Sequence, residues 1–397
     1  MPRNSVETTT AVTGIGQSDV GRRLGIDPLS LTLDACMEAI ADAGLRVEDI
    51  DGLSTYPGPG SGGPGFNGAN AYEVIDAMRL SVDWYDSGME TPGQLGSVMK
   101  AVMAINAGFA THVLCYRSVW EGSAQGTGGR QLGAAQATRA SGFAQWTSPY
   151  GSLSAGNWIA LYAQAHMDRY GTTSEQLGQI AVNARRNAAL NPKAIYTDPM
   201  TLDDYLASRM ITTPLRLFDC DAPCDGATAF VISRRDAAKD TASTPITIEA
   251  MGSALHDRAA WDQFSDLTRS VGSAAADQMW SRTDLTPQDV DLAELYDGFS
   301  ILALLWLEAM RLVPFGEAGS FLEGGANIAR DGILPLNTHG GQLSAGRLHG
   351  YGFFHEAVTQ LRGEGGARQV TSTPTVAAVA AGGGNTCGCF LLSTREL

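Results

Sequence analysis

Apolar positions recur along this chain at two periods, and the periods change at regular places. Leu31, Ala35, Ile40 and Ala41 mark one side of a helix over residues 29–44, opened by Asp27-Pro28 and ended by Gly44. Leu95, Val98, Val102 and Ile105 mark another over 94–107, and the run Ala110 to Tyr116 after it reads as a strand. Shorter runs predict strands at 8–14 and 245–249, and helices are expected at 268–281 and, almost wholly apolar, at 301–312. Tyr351, Phe354, Val358 and Leu361 give a late helix, and Val376 to Leu392 a hairpin turning through Ala381-Gly-Gly-Gly-Asn385.

One order of elements occurs twice. Strand, helix, the short acidic turn Val47-Glu-Asp-Ile-Asp51 and a second strand fill the first 55 residues. Strand, helix, Thr286-Pro-Gln-Asp-Val-Asp291 and a strand to Tyr296 fill 245–296. The repetition predicts a duplicated α/β fold, with an N-terminal half over 1–240 and a C-terminal half over 241–397. The Gly/Pro-rich stretch 56–72 is expected to be a surface loop, and about 120–215 a loop excursion covering the site, its Gly-, Gln- and Ser-rich part at 122–150.

Composition narrows the function classes. A net charge of −15 argues against nucleic acid and anionic membrane surfaces, which call for basic patches. No run reaches the roughly 18 apolar residues of a membrane span. The N-terminus has no apolar signal core, so the chain reads as cytosolic and reduced, its six cysteines as free thiols in apolar runs. No cysteine or histidine spacing resembles a metal finger, so neither metal nor bound cofactor is expected.

The densest chemistry lies in 337–356, Asn337-Thr-His-Gly-Gly-Gln-Leu-Ser-Ala-Gly-Arg347-Leu-His349-Gly-Tyr351-Gly-Phe-Phe-His355-Glu. Small residues let backbone approach a ligand, and histidine moves protons near neutral pH. The pattern Asn337-x-His339-Gly340-Gly341 resembles the late active-site loop of the thiolase superfamily, in its sterol-carrier-protein and lipid-transfer-protein branch. Asn183-Ala-Arg-Arg-Asn-Ala-Ala-Leu-Asn191, Pro214-Leu-Arg-Leu-Phe-Asp219 and Glu294-Leu-Tyr-Asp-Gly-Phe-Ser300 are similar to fragments of the same branch. The resemblance implies the five-layered α-β-α-β-α thiolase fold and an acyl-CoA ligand, with Asn337, Gly340 and Gly341 on the thioester side. Arg185 and Lys193 are plausible cations for the CoA moiety.

The departures carry as much as the matches. Thiolases place a nucleophilic cysteine near Thr91, a histidine at Arg347 and a second cysteine at Ala381; all three groups are replaced here. Two readings follow. One is a chemically silent acyl-CoA-binding scaffold. The other, which the resemblance to the steroid side-chain-cleaving aldolases favours, is retro-aldol cleavage of a β-hydroxyacyl-CoA. For those relatives the substrate implied is a 17-hydroxy C22 steroid CoA thioester, and the products a 17-ketosteroid and propionyl-CoA. A true thiolase is the least favoured reading. In the aldolase reading Tyr296 and Tyr351 converge on one pocket and carry the proton transfers. Arg347, His339 and His355 help lower a phenol, Asn337 or His339 holds the enolate oxygen, and Asp297 caps the helix at 301–312 and orients Tyr296. The resemblance further implies a homodimer that joins a small OB-fold, zinc-ribbon acyl-CoA-binding partner in a heterotetramer.

Overall fold

The computed structural model describes residues 6–395 except 59–63, 89–92, 126–138, 143, 259, 262, 271 and 385. The expected hairpin residue Asn385 and the position of Thr91 lie outside the described residues.

The first half holds β1 (Thr10–Gln17), α1 (Pro28–Asp42), β2 (Gly52–Thr55), α2 (Ala71–Met78), β3 (Trp84–Ser87), α3 (Gly96–Asn106) and β4 (His112–Trp120). An excursion then carries α4 (Ala155–Tyr170) and α5 (Ser174–Ala188), and β5 (Asp225–Arg234) closes the half. The second half runs β6 (Ile246–Gly252), α6 (Gly272–Trp280), β7 (Leu292–Leu295), α7 (Ser300–Ala309), α8 (Tyr351–Arg362), β8 (Val376–Gly383) and β9 (Thr386–Ser393). Asp27 starts α1 as the spacing requires, its carboxylate accepting from Ser30 N at 3.0 Å with Pro28 in the first turn.

The strand order is β3-β2-β4-β5-β1-β6-β9-β8-β7. The repeat read from the sequence is present in the pairing itself. β1 and β5 are antiparallel, β4 and β5 antiparallel, β2 and β4 parallel; β6 and β9, β8 and β9, β7 and β8 repeat those relations. Both acidic turns form the same short 3-10 turn, at Val47–Asp49 and Pro287–Asp289. The half-sheets meet where β1 pairs with β6 at only two positions, Ala11 with Thr247 and Val12 with Ile246.

Glycines set the helix-to-sheet distance in both halves. A Cβ on Gly14 of β1 would stand 2.1 Å from the Ala39 carbonyl oxygen of α1, and one on Gly252 of β6 would stand 1.9 Å from that of Ala275 in α6. Helices α1 and α2 cover the outer face of the first half-sheet, and α6 and α7 that of the second. Between the half-sheets lie α3 and α8, which completes five layers. Residues Tyr351, Phe353, Phe354 and Val358 of α8 are fully buried there.

Candidate active site

The glycine-rich segment is anchored at the end of β7 by buried carboxyls. Glu294 Oε1 accepts from Thr338 N at 2.8 Å, and its Oε2 lies 3.0 Å from His339 Nδ1. Asp297 Oδ1 accepts from Gln342 N at 2.7 Å. Asn337, at φ +50°, clamps Leu295 from both ends of its amide: Oδ1 accepts from Leu295 N at 2.7 Å and Nδ2 donates to Leu295 O at 2.9 Å.

From the other side α5 holds the same segment. Asn183 Nδ2 donates to Leu336 O at 2.9 Å, Asn187 Nδ2 to Asn337 O at 3.1 Å, and Asn191 Nδ2, just past the helix, to His339 O at 2.9 Å. Spacing of four places these amides in one row. The motif Asn183–Asn191 is therefore a row of clamps on loop carbonyls. Arg185 adds a bond from Nε to Ser344 Oγ at 3.1 Å.

This anchoring corrects several sequence expectations. Asp297 holds the loop and does not cap α7, whose N-cap is Phe299 without a side-chain bond. Gly340 and Gly341 turn inward: a Cβ on Gly340 would meet Ala188 at 2.6 Å, and one on Gly341 would stand 1.9 Å from Asp297 Oδ2. Their missing side chains leave room for Ala188 and Asp297, and the Asn337 amide is engaged by Leu295. Arg347 is paired with carboxylates. Its Nε donates to Glu121 at 3.0 Å and its Nη1 to Asp221 at 3.1 Å. Burial alone would lower its pKa, but Asp221 and Glu121 more than offset this and hold it above the usual range.

The two tyrosines reach the same helix end by different partners. Tyr296 Oη accepts from Gln94 Nε2 at 3.2 Å, just before the first turn of α3. Gly298 makes room for that ring, since a Cβ there would stand 2.7 Å from Tyr296 Cε1. A tyrosine at 296 and a glycine at 298 therefore belong together. The Tyr351 hydroxyl pairs with Ser97 Oγ inside α3, and its ring stacks on Phe230 with centroids 4.9 Å apart. Tyr351 is fully buried, and burial holds its pKa well above the ordinary 10. It is a neutral phenol, not the lowered base expected of one member of the pair.

The same cluster contains residues that sequence reasoning passed over. Gln94 Nε2 also lies 3.1 Å from His349 Nδ1, and Gln94 Oε1 accepts from Gly350 N at 2.7 Å. His349 is buried at φ +50°, a region a non-glycine residue seldom adopts. That strain at a histidine was the available signal, and it is not visible in a linear pattern. Ala381 abuts the cluster; a Cβ on Gly350 would stand 2.4 Å from the Ala381 methyl.

His339, His349 and His355 line one small cavity of about 20 Å³ with Gln342, Phe353 and Glu356. Burial pushes His339 down to about 4 and His355 down to about 3, so both are neutral at physiological pH. Beyond the glycine segment lies a larger cavity of about 440 Å³, lined by Arg22, Arg185, Arg209, Tyr196, Phe218 and Leu343 among others.

Proton counting settles the state of Glu294. Thr338 Oγ1 lies 2.8 Å from both Glu294 Oε1 and Glu356 Oε1 but carries one proton. One carboxyl must supply the second. Glu356 already accepts from Arg368 Nε at 2.9 Å and from Gln360 Nε2 at 2.8 Å. Burial pushes Glu294 up to about 8, so Glu294 holds the proton, and its contact with His339 is a neutral hydrogen bond rather than an ion pair.

A family model described as "Thiolase C-terminal domain-like" matches residues 253–391. A steroid side-chain-cleaving aldolase of Thermomonospora curvata is 35% identical, over 89% of this chain and 90% of that protein. The chain belongs to the thiolase superfamily. A 17-hydroxy-3-oxo-4-pregnene-20-carboxyl-CoA lyase of Mycobacterium tuberculosis is 34% identical over 89% of the chain and 91% of its own length. The solved structure of an "Ltp2-ChsH2(DUF35) aldolase" superposes with a TM-score of 0.86 at 32% identity, covering 99% of this chain and 100% of that one. In this thiolase fold the pairing repeat, the five layers and the glycine segment all have their place.

The shared proton makes stability depend on pH. Folded Glu294 keeps its proton up to about 8, whereas the unfolded side chain releases it near its ordinary 4.5. Across that window the native chain binds the extra proton, so stability falls as pH rises. Glu294→Gln cannot ionise. Melting of parent and variant from about pH 5 to about pH 8 is expected to show the parent losing Tm relative to the variant, with His339, His355 and Asp297 common to both. A difference in Tm that stays flat or changes the other way would mean Glu294 is ionised in the native state.

Proposed function

We propose that the protein cleaves a β-hydroxyacyl-CoA by retro-aldol chemistry, the substrate a 17-hydroxy C22 steroid CoA thioester and the products a 17-ketosteroid and propionyl-CoA. The observation that carries this reading is what stands in place of the thiols. At Ala381 only a methyl faces Gly350. Burial pushes Cys36, Cys115, Cys224 and Cys389 well up, and Cys387 up to about 12, so none of these is poised as a thiolate. What stands there instead is Tyr296 and His349, both bonded to Gln94 Nε2, with the Tyr351 hydroxyl on Ser97 of the same helix end.

Retro-aldol cleavage needs no nucleophile. A base removes the proton of the β-hydroxyl, the oxygen's electrons form the ketone, and the Cα–Cβ bond breaks. Its electron pair moves into the thioester as an enolate, and an acid returns a proton to Cα. Tyr296 suits the base. Its oxygen accepts from Gln94 and lies within electrostatic reach of the Arg347 guanidinium, and both contacts stabilise negative charge on that atom. Tyr351, held neutral, suits the acid. The 440 Å³ cavity with Arg22, Arg185 and Arg209 suits the phosphates of CoA, and its apolar lining, Phe218 and Leu343, suits the pantetheine arm.

The relatives' names support this reading; both describe C–C cleaving enzymes, and one names a steroid CoA thioester. The similar solved structure is named for an aldolase together with a DUF35 protein. We propose a comparable partner here, the small OB-fold, zinc-ribbon type, around a homodimer that continues the sheet at β3. Among the described residues β3 is the outermost strand on its side, and its Tyr85 is 52% exposed.

Two outcomes are expected. The purified protein, with its partner, releases ketosteroid and propionyl-CoA from the β-hydroxyacyl-CoA without added CoA and does not thiolyse 3-oxoacyl-CoA. Tyr296→Phe lowers that kcat by roughly 10²–10⁴-fold with little change in Tm. A parent protein that binds but never cleaves the thioester favours the silent scaffold, and a Tyr296→Phe variant at full rate removes Tyr296 from the chemistry. Light scattering tests the assembly: a monomer fully active alone contradicts both the dimer and the partner.

A further inference from the structure

Two buried donors in the glycine segment have no acceptor, and they belong to adjoining residues that line one cavity. The first is on Gln342. Its Oε1 accepts from the His349 backbone N–H at 3.0 Å, which fixes the orientation of the amide and leaves Nε2 without a partner. The second is on His349. Gln94 Oε1 is occupied by Gly350 N–H, so it is Gln94 Nε2 that faces His349 Nδ1 and donates to it. A neutral imidazole that accepts at Nδ1 carries its proton on Nε2. That Nε2–H also has no partner. The nearest acid, Glu121 Oε2, is 4.0 Å away, beyond a hydrogen bond, and is bound by Arg347.

The residues that a sequence reading offers for holding an enolate oxygen lack such a donor. The Asn337 amide accepts from and donates to Leu295, and its side chain also bonds the Asp297 carboxyl. His339 gives its Nδ1 proton to Glu294, so its Nε2 is a bare acceptor. Buried donors are almost always paired, and two orphans on residues that line one cavity, one of them a histidine at φ +50°, point to a missing acceptor.

We propose that His349 Nε2–H and Gln342 Nε2–H form the cradle that takes the thioester oxygen, binding it as a carbonyl and more tightly as the enolate. This rests on the retro-aldol reading, but it can be tested apart from C–C cleavage. Enolisation alone moves a Cα proton to a base and its electron pair onto the thioester oxygen; the reverse step in D2O places deuterium on Cα.

The experiment is deuterium exchange at Cα of propionyl-CoA in D2O, read by mass spectrometry, beside steady-state cleavage. His349→Asn suits the left-handed backbone, and its Oδ1 can still accept from Gln94, while the Nε2 donor is lost. Gln342→Glu keeps the acceptor for His349 N–H and removes the amide donor. Each variant is expected to slow exchange and cleavage together, on the order of 10²-fold, with KM moved only a few-fold. Exchange at the parent rate in either folded variant, or none in the parent, overturns the cradle. A parent that exchanges Cα but cleaves no β-hydroxyacyl-CoA overturns the retro-aldol reading and leaves the cradle standing.

Discussion

Two buried carboxyls at the end of one strand determine the shape of everything around them. Glu294 and Asp297 each accept a backbone N–H from the glycine segment, at Thr338 and Gln342. Neither carboxyl is exposed, so each depends on protein donors. The segment can lie close enough only because Gly341 has no Cβ to meet Asp297. Once it lies there, its outward carbonyls need donors, and the asparagine row of the excursion supplies them. The fold thus converts one strand end into a rigid platform held from both sides.

The platform decides where proton chemistry is available. His339, fixed by Glu294, faces the cavity as an acceptor, and His349, fixed by Gln94, as a donor. Gln94 bridges the two halves, reaching Tyr296 and His349 of the second half from the entrance of α3 in the first. In the proposed retro-aldol reading, a superfamily member that has exchanged thiols for this network gives up covalent acyl transfer and uses the network to hold a thioester and shift protons around it. Cleavage through an enolate needs no more than that.

Much of this was legible in the sequence because it is local or periodic. The two halves show in the repeated strand–helix–turn–strand order, and the glycine segment and Tyr296 stand in contiguous motifs. The asparagine row was visible as a motif whose purpose only the packing explains. What stayed hidden depends on partners far along the chain. Arg347 stands where the superfamily carries a histidine, but its use is decided by Glu121 and Asp221, more than a hundred residues away. Gln94 and Ser97 lie inside an ordinary apolar helix pattern, and nothing in that pattern aims them at two tyrosines. The protonation states are also tertiary facts: Tyr351 and Glu294 are neutral because they are buried, and burial is not written at single positions.

In the retro-aldol reading this thiolase fold works without a covalent acyl-enzyme. Intact-protein mass spectrometry of enzyme quenched during turnover of a β-hydroxyacyl-CoA tests it most directly. An unmodified chain mass is expected at every time point while propionyl-CoA accumulates. A chain carrying an added acyl group, mapped to any of the six cysteines, would contradict it.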